Sequence, residues 1–159
     1  MGMDYGLETK NGDGIDFDVF PAALSYLFEQ VGAYGDKSIV CQLEKILNID
    51  LRLFQNTYNP EMDFEEEFDT DDLWVTIDVV INKLLEFNSK AEANKNYYSK
   101  LILNPNKNGT FDESNPMFYY PLENEFISEN IINNSITELL TYLENLKNKG
   151  ETEIRLVYA

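Results

Sequence analysis

Between Glu61 and Asn94 the chain changes character halfway, and any fold must accommodate the change. Eight of the first twelve residues are carboxylates: Glu61, Asp63, Glu65, Glu66, Glu67, Asp69, Asp71 and Asp72. Phe64 and Phe68 sit among them. Charge repulsion and hydration keep such a run out of a core. Directly behind it, Ile77, Val80, Ile81, Leu84, Leu85, Asn88 and Ala91 recur at spacings of three and four, one face of a helix. The second half is core and the first half belongs to solvent or to a partner.

The junction admits two readings. Asp71 and Asp72 suit the first turn of a helix starting at Asp69 or Thr70, where carboxylates meet free N–H groups. Yet Leu73, Val75, Ile77, Val79 and Ile81 also alternate, in a segment dense in β-branched residues. The adopted expectation is a short strand over 73–77, then a helix capped by Asp78 and running to about Asn94.

The rest of the chain supplies partners for that helix. Residues 5–10 and 15–20 flank Asn11-Gly12-Asp13-Gly14, and Asn-Gly predicts a type I′ hairpin turn with positive φ at both central residues. Ile15, Phe17 and Val19 alternate with Asp16 and Asp18, so the second strand is expected to bury those three. The same acids do not make an EF-hand loop, which needs Gly at its sixth and Glu at its twelfth position. Pro21 opens a helix carrying Leu24, Leu27, Phe28 and Val31, which Gly32 stops. Asp36 or Ser38 caps a second, with Ile39, Val40, Leu43, Ile46 and Leu47 on one face. Residues 48–60 read as turn, anchored by Leu51, Leu53 and Phe54. The pattern of 97–103 does not separate strand from helical turn. Residues 104–109 form a loop, and Met117–Tyr120 is an aromatic segment between prolines.

Ser135-Ile136-Thr137-Glu138 is a capping-box pattern and is expected to open the last helix, with Ile136, Leu139, Leu140, Leu143 and Leu146 as its stripe and Gly150 as its stop. Residues 153–158 read as a strand with Ile154, Leu156 and Tyr158 on one side. A strand at each end of the chain places both in one sheet. The expected fold is therefore α+β: a small, mostly antiparallel sheet, N-terminal hairpin plus C-terminal strand, packed by about four helices. With 159 residues and neither repeat nor composition break, residues 1–159 form a single acidic domain.

Composition then narrows function. Twelve basic against 29 acidic residues leave a net charge of −17, which repels nucleic acid and anionic membranes and attracts basic partners. There is no histidine and one cysteine, Cys41, so no disulfide framework, Cys/His zinc site, Ser–His or Cys–His couple is available within the chain. No P-loop or dinucleotide-binding glycine pattern occurs. With 29 acids a glycosidase-like carboxylate pair arises by chance and identifies nothing. A carboxylate-only magnesium site at Glu65, Glu66, Asp69 and Asp72 would serve phosphorylated substrates, which so anionic a chain repels. The expectations are accordingly no enzyme, no cofactor and no metal. No signal segment or apolar span of about 20 residues is present, so the expected compartment is the cytoplasm. Asn133-Asn134-Ser135 matches a glycosylation sequon that carries no weight without a secretory signal.

Aromatics beside the carboxylates distinguish the run from plain solubilising charge. The expected partner site comprises Tyr58, Phe64 and Phe68 as apolar anchors within the rim of Glu61, Asp63, Glu65, Glu66, Glu67, Asp69, Asp71 and Asp72. Its partner is a basic protein, most concretely a bacterial toxin for which this chain is the immunity protein. The alternative is a scaffolding domain binding through the Met117–Tyr120 segment. A divalent-metal enzyme using carboxylates ranks third.

Overall fold

The structure is a computed structural model and describes residues 4–12, 14–28, 38–60, 70–101 and 127–159. Its order of regular elements is β1 (Tyr5–Thr9), β2 (Ile15–Asp16), α1 (Ala22–Phe28), α2 (Ile39–Leu47), β3 (Thr57–Tyr58), β4 (Val75–Thr76), α3 (Ile77–Ala93), α4 (Glu129–Asn148) and β5 (Glu153–Tyr158). Short 3-10 turns cover Arg52–Gln55, Thr70–Leu73 and Tyr98–Lys100. Among the described residues, four helices on a small five-stranded mixed sheet make an α+β fold, as the sequence led us to expect.

The C-terminal strand is the sheet's axis. β5 pairs antiparallel with β1 from Tyr5↔Tyr158 to Thr9↔Ile154, so the two ends of the described chain lie side by side. Asp4 and Ala159 close that ladder with reciprocal backbone bonds of 2.8 and 3.1 Å. The opposite edge of β5 is shared end to end: β3 pairs parallel at Leu156 and Val157, and β4 antiparallel at Glu153 and Ile154. β3 lies in the stretch expected to be turn. Two residues are too short for periodicity to register, and their pairing with β5 is what makes them a strand.

The hairpin forms, but not with the expected turn. Glu8 faces Ile15 and Leu7 faces Asp16, and the turn closes through Gly12 N–H to the Thr9 carbonyl at 3.2 Å. Positive φ among the described residues belongs to Asn48, Asn96, Gly14 and Gly150, so Asn11-Gly12 is not a type I′ turn. The second strand is also shorter than its alternation suggested. Asp16 Oδ1 accepts the Asp18 N–H at 3.0 Å, an Asx-turn that ends the ladder and leaves Phe17 39% exposed. The ring of Phe17 lies against Gly6, where an added Cβ would stand 2.9 Å from it.

The Pro21 carbonyl accepts the first helical bonds of α1, from Leu24 and Ser25. Val31 and Gly32 lie outside the described residues. Ser38 caps α2, its Oγ accepting from Cys41 N at 3.1 Å, and Asn48 in the left-handed region ends it. Cys41 is half-buried. α3 starts at Ile77, one residue before the expected cap. Thr76 holds the cap position, and Asp78 sits in the first turn, paired with Lys147 of α4 at 2.6 Å. Its buried stripe is Ile77, Val80, Ile81, Leu84, Phe87 and Ala91. Leu85 is 51% exposed, because one residue beyond Leu84 is a rotation of about 100° off the stripe.

α4 begins at Glu129, far ahead of the Ser135 capping pattern. Ser128 is the cap, extended at φ −160° and ψ 170°, with Oγ accepting from Ile131 N at 3.2 Å. Ser135 lies inside the helix, buried, its hydroxyl donating to the Ile131 carbonyl at 2.7 Å. Ile132 extends the apolar stripe one turn upstream of Ile136, and that burial outweighs the local cap signal. Gly150, at φ 95°, forms a Schellman stop with Gly150 N–H on Lys147 O and Glu151 N–H on Leu146 O. The sequon at Asn133 is thus helical, and Asn133 Oδ1 accepts the Tyr97 hydroxyl at 2.9 Å.

These elements bury one core. Leu24, Leu43, Leu84, Ile136, Leu143 and Ile154 are sealed from solvent, each such side chain contributing about 1.5–3 kcal/mol of burial. The inner face of β1 carries Tyr5 into an aromatic layer with Phe20 at 5.2 Å, and Phe28 stacks on Phe54 at 4.6 Å. Among the described residues no helix is long and apolar enough to cross a membrane.

Candidate partner-binding site

Of the residues expected to meet a partner, Glu61, Asp63, Phe64, Glu65, Glu66, Glu67, Phe68 and Asp69 lie outside the described residues. Asp71 and Asp72 belong to the 3-10 turn over Thr70–Leu73, and Asp72 is exposed. Tyr58 is in β3 and only 7% exposed. Its ring is therefore turned towards the protein and not offered to solvent.

What holds Tyr58 is a cluster on the outer face of the sheet. β1 and β5 place Glu8 directly opposite Arg155. The pair is forked: Arg155 Nε lies 3.0 Å from Glu8 Oε2 and Nη2 3.3 Å from Oε1. Tyr58 donates its hydroxyl to the same carboxylate. The guanidinium lies 4.2 Å from the Tyr58 ring centre and 4.4 Å from that of Trp74, which stands just before β4. At the end of the sheet Lys10 pairs with Glu153 at 3.0 Å and lies 5.8 Å from the Trp74 ring. Arg155 thus touches an aromatic residue on each side of the acidic run. Both flanks of the run, β3 before it and β4 after it, are also hydrogen-bonded to the same strand.

The cluster is mostly withdrawn from water, with side-chain exposures of 13% for Arg155 and 20% for Glu8. Burial pushes the Glu8 carboxyl up, but hydrogen bonds from Arg155 and Tyr58, with the Arg155 charge, hold it below the usual glutamate value. Burial, with the Glu8 carboxylate as hydrogen-bond partner and neighbouring charge, pushes Tyr58 up to about 12. Burial works against the Arg155 cation, and bonding to Glu8 more than restores it. At neutral pH the three are locked as carboxylate, phenol and guanidinium. That is a clamp with no proton poised to move near pH 7. Among the described residues no group of three acidic or thiol side chains is placed to hold a metal ion.

Glu8, Trp74 and Arg155 were not picked out by sequence reasoning. Each is a polar or bulky residue beside a buried neighbour, an ordinary outward position on a strand or its flank. Only the pairing of β1, β3 and β4 onto β5 brings them together. No family model, curated protein or solved structure matches the chain.

Proposed function

We propose that this protein is a non-catalytic binding domain that engages a basic protein through the acidic, aromatic run at 61–72, most concretely as an immunity protein that inhibits a bacterial toxin from the cytoplasm. The observation that carries the reading is eight carboxylates within twelve positions of a chain of net charge −17. Such a surface accelerates encounter with a cationic partner and occupies the site where that partner would hold phosphates. The double anchorage of the run's flanks on β5 and Arg155 supports it, because fixed ends reduce the ordering cost of binding.

The test is a pull-down at low salt with elution by rising salt. One basic protein released by salt is the expected result. Changing Glu65, Glu66 and Glu67 together to Lys is then expected to slow association by roughly tenfold or more while leaving the thermal melt intact. An unchanged on-rate would overturn the patch. A partner that resists high salt would instead favour docking through an apolar surface.

A further inference from the structure

A second feature lies at the other edge of the sheet, away from β3 and β4. Where β2 gives way to α1, an open groove of about 570 Å³ runs between the 17–21 segment and α4. Phe17, Pro21 and Ile131 give it an apolar floor, and Asp4, Asp18 and Glu138 supply charge; among the described residues no basic side chain lines it. The positions follow from the fold. The Asx-turn at Asp16 swings Asp18 outwards, and the Asp4–Ala159 pairing fixes Asp4 at the end of β1. Ile131, Ser135 and Glu138 fall on one stripe of α4 at spacings of four and three. Phe17 keeps more than a third of its surface open although its ring covers Gly6.

Three carboxylates with no basic side chain among the described lining residues, around an exposed aromatic ring and an apolar floor, complement one chemistry. We infer that the groove receives a basic side chain with an apolar neighbour, an Arg or Lys beside an aliphatic residue, from a segment of the cationic protein partner. The carboxylates meet the cation, the Phe17 face supplies a cation–π contact, and the floor takes the aliphatic residue. The inference rests on the partner being basic, as proposed above, but it names a separate contact surface built wholly from described residues.

The probe is a doubly blocked Arg-Leu-Arg tripeptide, titrated at low salt into the isotope-labelled full chain and followed by amide NMR shifts. The expected shifts centre on residues 17–25 and 131–138. Asp18→Asn with Glu138→Gln, both exposed positions, is expected to weaken binding about fivefold, the size of two partly exposed charge contacts. Glu92→Gln with Glu144→Gln removes the same charge from exposed positions outside the groove and is expected to stay within about twofold. Equal weakening by both pairs would overturn the inference by reducing it to bulk attraction. Shifts confined to 61–72, or none, would overturn it too, while leaving the acidic run to be judged by its own triple substitution.

Discussion

The two faces of the same sheet are built on different physics. On the inner face Tyr5, Leu7, Ile154 and Leu156 sit in the core, where the Tyr5 hydroxyl donates to the Phe28 and Phe54 carbonyls at 3.3 and 3.2 Å. On the outer face the alternate residues of the same strands, Glu8 and Arg155, form a forked ion pair under two aromatic rings. The inner face stabilises by removing apolar surface from water, which any adequate side chain of the right volume can do. The outer face specifies geometry. Arg155 is the element that holds residues before and after the acidic run against one strand.

The contrast predicts a ranking. Leu156→Ala deletes a buried side chain that the sheet cannot collapse around, and is expected to cost about 2–5 kcal/mol in urea unfolding. Arg155→Met keeps length and apolar bulk but leaves the Glu8 carboxylate without its fork. Because Glu8 can recruit some water, the expected cost is smaller, about 1–3 kcal/mol. The chain's one tryptophan is Trp74, so emission reports on the clamp directly, and Arg155→Met is expected to alter it where Leu156→Ala in the folded state does not. Arg155→Lys should restore little of the signal, since an ammonium neither forks nor stacks. If Arg155→Met were silent in emission, the clamp would not exist in solution.

A third test uses acid. The folded Glu8 carboxyl lies below its ordinary value of 4.5, so its contribution is fully present above that pH and is lost as pH falls through the lower, folded value. Glu8→Gln should therefore flatten the acid limb of the stability profile, measured by thermal melts from neutral pH downward. Leu156→Ala should lower the whole profile without changing its shape. An acid limb unchanged by Glu8→Gln would place the acid sensitivity elsewhere among the carboxylates.

How much of this was legible in the sequence follows the same division. The inner face was read directly: the strand at Ile154 and Leu156, the stripe of α3 from Ile77 to Ala91 and that of α4 from Ile136 to Leu146 all announce themselves by period. Local signals misled where burial overrode them. The Ser135 pattern resembles a cap but lies inside a helix that Ile132 extends, and Asn11-Gly12 resembles a type I′ turn but closes differently. Leu85 adjoins Leu84 in sequence but lies off the buried stripe, which Phe87 completes. For the candidate site, the carboxylates of the run were plain in the sequence. Its supports were not: Tyr58 was legible as an aromatic but not as a buried one, and it and Trp74 reach the Glu8–Arg155 pair only through two-residue strands whose existence depends on tertiary pairing.

The smallest effect tests the Tyr58 hydroxyl of the clamp. Tyr58→Phe removes one hydroxyl and leaves the ring beneath Arg155, so the stacking survives and only the bond to Glu8 is lost. The expected cost at neutral pH is about 0.5–1.5 kcal/mol, because Glu8 retains the fork from Arg155. The alkaline limb is the sharper readout. Tyr58 titrates at about 12 in the folded chain against 10 when unfolded, so its contribution is present below pH 10 and disappears as pH climbs to 12. The wild-type chain should lose that increment of stability over this window and Tyr58→Phe should not, with Trp74 emission following both. Identical alkaline limbs would mean that the Tyr58 hydroxyl is solvated and that the two faces differ less than their geometry implies.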